Sequence, residues 1–320
     1  MSRLLAVQRR YPVLQVLALV VLFIWGATTI DGFSTETSID SMLVLAALLG
    51  LAALGQTLVL VLGGIDFSVP GHIVMGAIVV SELYGTRGWP AALAILAVVA
   101  IAGVLGALTG WICHRWRVQP LIVTLGMGAL SAGGAVAWTS GHLAGAAPPF
   151  LSKLTTATGT TFGLSIPPVV VIWAAVAIIA AVVLHRTIPG RQLYLFGANP
   201  RAAGLARIRT GRVVVAVFLV SAVASGLVGV LLAGFAGADQ TLGDPYLFSG
   251  LTAVIVGGTT FMGARGDYTH TVIGALILTV LTTILVGKGY DQADQQIIFG
   301  LLILLVVASY GRERRLRDRV

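Results

Sequence analysis

Long apolar runs, separated by short polar or glycine-bearing connections, dominate the chain from about residue 11 to about 310. They fall near 11–30, 41–62, 71–84, 89–113, 120–138, 166–185, 212–234, 248–262, 270–287 and 296–310. A helix needs about 17–20 apolar residues to cross a hydrocarbon core of ~30 Å. Eight of the ten runs approach or exceed that length. The other two, 71–84 and 248–262, are short, and glycine- and proline-bearing stretches precede both. Such stretches break helices, so the two short runs are expected to be half-helices or re-entrant segments. The first break, Leu62–Gly71, holds three glycines, a proline and the carboxylate of Asp66. At membrane depth, its freed backbone groups and Asp66 need water or protein partners.

Charge orders these runs into a topology. With ten crossings and the N-terminus inside, 17 of the 20 lysines and arginines face the cytosol, and only Arg87, Lys153 and Lys288 lie outside. If both short runs failed to cross, Arg115, Arg117 and the loop 186–212 would move outside, against the positive-inside bias. The expected fold is therefore an all-α polytopic membrane protein with about ten transmembrane segments and both termini cytosolic. It forms a single transmembrane domain over 1–320, with an external loop at 139–165 and a cytosolic loop at 186–212. The run near 11–30 reads as an uncleaved first span.

The plan repeats within the chain. Each half has two long spans, a glycine- and acid-bearing break, a short span and two more. Leu62-Gly63-Gly64, Asp66 and Pro70 have a counterpart in Ala233-Gly234, Asp239 and Asp244-Pro245, and Gly106-Ala107-Leu108 is matched by Gly274-Ala275-Leu276. An odd number of crossings per half predicts two inverted five-segment repeats, each with one short or broken helix.

Composition narrows the chemistry. The chain is 57% hydrophobic and 10% charged, with a mean hydropathy of +0.97. Soluble domains carry about 25% charged residues, which excludes one here. Forty glycines among 320 residues suit close helix packing and broken helices. The +8 charge follows from the topology and does not call for nucleic acid. The lone Cys113 excludes an internal disulfide and a cysteine metal site. No phosphate-binding Gly-x-x-x-x-Gly-Lys-[Ser/Thr] loop occurs. No span carries paired ionisable groups of the proton-relay kind. The histidines at 72, 114, 142, 185 and 270 are scattered, mostly at span ends, and Ser68 lies in no nucleophile elbow. Nothing points to an enzyme active site or a cofactor on this chain.

The cytosolic loop has its own pattern. Asn199 suits an N-cap and Pro200 the first helical position. Ala202, Leu205, Ala206 and Ile208 then fall roughly on one face. A short, weakly apolar helix is expected at the cytosolic surface, either lying on the membrane or docking a soluble partner.

Four elements in order resemble the permease subunits of bacterial ABC importers for monosaccharides, the ribose/xylose/arabinose/galactose group. Gly63-Gly64-Ile65-Asp66-Phe67-Ser68-Val69 matches that family's Gly-Gly-Ile-Asp-Leu-Ser-Val. Gln119-Pro120-Leu121-Ile122-Val123-Thr124-Leu125-Gly126 matches its Pro-Ala-Phe-Ile-x-Thr-Leu-Gly element. Gly190-Arg191-Gln192-Leu193-Tyr194, with Gly197, Asn199, Ala202 and Ala203, resembles its cytosolic loop. Ala253-Val254-Ile255-Val256-Gly257-Gly258-Thr259 through Arg265-Gly266 resembles its Ala-Val-Val-Ile-Gly-Gly-Thr…Gly-Gly-Arg-Gly element. The resemblance spans about 40–310. Departures are Pro70-Gly71 for the usual Gly-Ser, Ala198 and Ala264 for glycines, and Arg207 where glycine is common.

The resemblance implies a permease subunit of the bacterial inner membrane that works with three partners. A second permease subunit, identical or homologous, completes the pathway; a cytosolic ABC ATPase carries ATP and Mg²⁺; an external sugar-binding protein delivers the small-molecule sugar. On these motifs Gly63, Gly64, Asp66, Ser68 and Thr124 are candidates for the pathway or gate. Asn199, Pro200, Ala202, Ala203, Leu205 and Ile208 are candidates for ATPase coupling. Asp66 either caps the helix after the break or touches the passing sugar. Permeases for branched-chain amino acids or nucleosides remain related alternatives. A stand-alone secondary transporter would need ion-coupling groups at mid-membrane.

Overall fold

The computed structural model describes residues 12–143 and 145–317; Arg3, Arg9, Arg10 and Arg319 of the topology argument lie outside them. The described chain is helical, with no β-strand beyond one bridge between Thr161 and Leu164. In order the helices are α1 (Val13–Thr29), α2 (Glu36–Leu62), α3 (Val69–Ser81), α4 (Ala91–Trp116), α5 (Pro120–Trp138), α6 (Pro149–Thr155) and α7 (Pro168–Arg186). Then come α8 (Ile188–Ala198), α9 (Pro200–Leu205), α10 (Thr210–Ala236), α11 (Asp244–Val256), α12 (Tyr268–Gly287) and α13 (Gln292–Arg317). Among the described residues, six helices are long and apolar enough to cross a membrane: α2, α4, α5, α7, α10 and α12.

Two of the six form the interior. The apolar window of α2 is 83% buried and that of α10 is 61% buried, against 22–28% for α4, α5 and α7. A helix apolar all round belongs either inside a bundle or against lipid. Burial separates the two cases here. Helix α2 begins on the Thr35 hydroxyl, which accepts the Ser38 N–H at 3.4 Å, and stops at Gly63 with φ +95°. Glycine takes that left-handed conformation without steric penalty, and the helix closes on Gly63 N–H→Leu60 O and Gly64 N–H→Val59 O, both 2.9 Å.

The packing around the two interior helices is reciprocal. Helix α10 packs against α3 and α4, while α2 packs against α11 and α12. Helices α2 and α10 also touch, through Gly55, where a Cβ would stand 2.2 Å from the Ser221 hydroxyl. The short helices α3 and α11 each have 13 residues, or about 20 Å at 1.5 Å per residue, too little to cross alone.

The loops carry more structure than their composition suggests. The segment between α5 and α7 contains α6, whose Leu151 is buried under Gly234 of α10, and the Ser152 hydroxyl donates to the Gly234 carbonyl at 2.7 Å. The segment between α7 and α10 folds into two helices, α8 and α9. The run near 248–262 starts and stops earlier than its hydropathy predicts. Pro245 begins the helix at Asp244, and Gly257 ends it at Val256. Phe261 and Met262 then belong to a loop.

Candidate functional site: the first helix break and the joint beneath it

The break between α2 and α3 is a hydrogen-bonded joint in the protein interior. Asp66 is 1% exposed. Its Oδ1 accepts the Ser68 N–H at 2.8 Å and the Ser68 hydroxyl at 2.5 Å, and its Oδ2 accepts the Ser221 hydroxyl of α10 at 2.6 Å. A carboxylate out of water is stable only when its lone pairs are satisfied, and bonds to an ionised acceptor are the stronger kind. Asp66 thus ties the first turn of α3 to the middle of α10. Ser221 reaches it because Gly55 leaves the space that a side chain would fill.

Thr124 holds the other side. It is fully buried on α5, and its hydroxyl oxygen accepts the Phe67 N–H at 3.0 Å. The same oxygen stands 3.2 Å from the Leu121 carbonyl and 3.4 Å from that of Ile65, so its proton also has a partner. Gly64 lies against Pro120, where a Cβ would be 3.1 Å from the ring. Gly71 touches Gly128 so closely that a Cβ would stand 2.1 Å from its carbonyl oxygen. The structure therefore brings Gly63, Gly64, Asp66, Ser68 and Thr124 together at one place, and it packs Asp66, Ser68 and Thr124 inside the chain. Buried His72 joins them: its Nδ1 is 2.9 Å from the Ser68 carbonyl and so carries the proton, while Nε2 has no partner among the described residues.

Directly beneath lies a second joint. The loop after α11 folds back on the end of α2: Ala264 N–H donates to the Val61 carbonyl at 2.9 Å, and Gly263 lies against Gly63 and Gly197. Gly197, near the end of α8, rests on the Val61 carbonyl, which would be 2.0 Å from a Cβ. The Tyr194 hydroxyl donates to the Gly266 carbonyl at 2.7 Å. Burial, and then the charge of Asp267, push this phenol up to about 12. Asp267 caps α12 by accepting the Thr269 N–H at 3.0 Å and stands 3.1 Å from His185 Nε2. Sequence patterning had no signal for the Val61 carbonyl, and Tyr194 and Gly197 entered only as part of a matching segment.

The coupling candidates divide into two groups. Asn199 caps α9 as expected, its Oδ1 accepting from Arg201 and Ala202 N–H at 3.0 and 3.1 Å, with Pro200 in the first turn. Ala203 is buried and Ile208 packs into the core beneath. Ala202 and Ala206 are exposed, and Leu205 is 88% exposed. The single face expected for Ala202, Leu205, Ala206 and Ile208 is thus split. The helix ends at Leu205, and Arg207 takes φ +57°, which turns Ile208 inward.

The family model described as "Branched-chain amino acid transport system / permease component" matches residues 38–307. The chain belongs to this permease family. It is 31% identical over 292 residues to the ribose import permease protein of Escherichia coli strain K12, with 91% of each chain covered. It is 29% identical to the fructose import permease protein of Rhizobium meliloti, over 86% of this chain and 78% of that one. It is 30% identical to the autoinducer 2 import system permease protein of Escherichia coli strain SMS-3-5, over 82% and 80%. No solved structure matches. These relatives are transport permeases, so this multi-pass chain belongs with transport subunits.

Proposed function

We propose that this chain is the membrane-spanning permease subunit of an ATP-driven ABC importer that moves a monosaccharide delivered by an external binding protein. The observation that carries the reading is full-length similarity to import permeases named for ribose. The site supports it. An exposed Leu205 sits at the tip of a capped cytosolic helix. Beneath it Tyr194, Gly197 and the 257–267 loop connect that helix to the Gly63 break. Displacement of α8 and α9 by an ATPase would reach the break through these contacts and switch access across the membrane.

In this reading the chain crosses the bacterial inner membrane ten times, with both termini cytosolic, as one domain of two inverted repeats. The reciprocal packing of α2 and α10 supports the repeat. So does the shared length of the short helices α3 and α11, 13 residues each. A second permease subunit completes the path, and ATP and Mg²⁺ belong to the partner ATPase. The family model's own description favours one alternative cargo, branched-chain amino acids.

Affinity purification of the chain from its own membranes tests the assembly: an ABC ATPase should co-purify, and its absence from an otherwise intact preparation would overturn the reading. Binding of monosaccharides against leucine or isoleucine by the external receptor separates the two cargoes. Leu205→Glu should leave the chain folded while abolishing ATP-driven uptake. Normal uptake with an intact complex would remove α9 from coupling.

A further inference from the structure

Helix α1 stands apart from the rest of the bundle. It packs along α12, while its contact with α2 is slight, although the connection between α1 and α2 is short. The gap left between α1 and α2 is an apolar groove of about 290 Å³. Phe23 of α1, Met42 of α2 and Leu276 and Val280 of α12 line it. Val20 and Ile24 also line it and are 47% and 57% exposed, so they mark its open side. An apolar cavity of ~150 Å³ stays dry and takes up benzene. Close packing disfavours leaving a larger one empty, and at membrane depth the available filler is hydrocarbon.

One end of the groove is charged. Trp25 follows Ile24 directly, and the Lys288 ammonium lies over its ring, 5.2 Å from the centroid. The two segments are held together there: a Cβ on Gly287 would stand 2.8 Å from Ile30 Cδ1. Tryptophan and lysine, each with an apolar body and a polar tip, gather at the level of lipid headgroups. Lys288 is exposed and forms no ion pair among the described residues. Along α12, Lys288 lies roughly 12 Å beyond Val280 and roughly 18 Å beyond Leu276, at 1.5 Å per residue. Half of a ~30 Å hydrocarbon core is about 15 Å. The groove thus sits one acyl-chain depth below an unpaired cation. Asp31 and Glu36, on the connection that Gly287 meets, stand exposed at the same end.

We propose that this groove is a phospholipid site, in which one acyl chain fills the gap between α1 and α2 and Lys288 holds the phosphate. The lipid completes the packing of α1 and fastens it to α2. With Asp31 and Glu36 exposed at the same end, a zwitterionic ethanolamine headgroup matches the local charge better than a purely anionic one. The site needs only a membrane-embedded chain, so it stands apart from the cargo and from the ATPase.

Lipid titration of the full-length chain tests it. The protein is purified in mild detergent, delipidated and titrated with dioleoyl phosphatidylethanolamine, and bound lipid is counted by native mass spectrometry. One lipid should bind ahead of all others. Lys288→Gln should raise the half-saturating lipid concentration at least fivefold. Val20→Trp, which fills the groove from its open side, should do the same, with Ile24→Trp in its place if Val20→Trp fails to fold. Val104→Trp, on the exposed face of α4, should leave binding unchanged. Inorganic phosphate at the same concentrations should not displace the lipid. Unchanged binding in folded Lys288→Gln or in a folded groove variant overturns the proposal, as does an equal loss in Val104→Trp. Displacement by inorganic phosphate would overturn the acyl-chain assignment, and tighter binding of phosphatidylglycerol would overturn the headgroup assignment. Failure to co-purify an ATPase would sink the importer reading and leave these outcomes unaffected.

Discussion

The two helix breaks begin with the same local chemistry and end in opposite surroundings. At the first, Asp66 Oδ1 accepts the N–H and hydroxyl of Ser68 at 2.8 and 2.5 Å. At the second, Asp239 Oδ1 accepts the N–H and hydroxyl of Thr241 at 2.7 and 2.5 Å. Each turn leads into a 13-residue helix with proline in its first turn. The difference lies beyond the turn. Asp66 is buried and spends its second oxygen on Ser221, whereas Asp239 stands exposed. An aspartate turn is thus a local device for starting a short helix, and the neighbouring helices decide whether it becomes a fixed buried joint or stays exposed.

The comparison breaks most visibly at Asp66. Asp66→Ala orphans three buried donors, the Ser68 N–H and hydroxyl and the Ser221 hydroxyl, and should cost about 3–9 kcal/mol, at about 1–3 kcal/mol per unsatisfied group. A large fall in thermal stability in detergent would register this. The corresponding Asp239→Ala should leave the melting temperature nearly unchanged, because its turn is exposed. Next comes Gly71→Ala, which drives a Cβ into the Gly128 carbonyl. Overpacking of this kind costs about 1–3 kcal/mol, again read as a lowered melting temperature. Ser221→Ala removes one bond of three to Asp66 and should cost about 1.5–3 kcal/mol, the range for bonds to charged groups. The smallest effects have the opposite sign. Arg207 and Ala264 hold φ +57° where glycine is the relaxed choice, so Arg207→Gly and Ala264→Gly should each stabilise by up to about 1 kcal/mol.

These last two positions show what the sequence made legible. Both were marked only as departures from a family glycine. The backbone supplies the reason, because both sit in left-handed turns. Pro70-Gly71 is similar. Gly71 stands where the resembling family motif has serine, and it lets α3 press on α5. The first break, its capping carboxylate and the Asn199 cap were readable because glycine, proline, aspartate and asparagine act locally. The partners of Asp66 were not. Ser221 lies 155 residues away, on a helix whose pattern is uniformly apolar. Helix α8 was also missed, because it is only 11 residues long and of mixed polarity inside a basic loop, and contacts with α2 and α7 hold it. Phe261 and Met262 read as the end of a span because hydropathy does not register the turn at Gly257-Gly258.

The most direct test of the division between buried joint and exposed turn is sugar uptake by the reconstituted importer, normalised to folded protein, for Asp66→Asn against Asp239→Asn. The account predicts that Asp66→Asn lowers the yield of folded protein while each surviving molecule transports with an unchanged KM, and that Asp239→Asn folds with the yield of the unaltered chain. A raised KM for Asp66→Asn, or an equal loss of folded protein for Asp239→Asn, would contradict it.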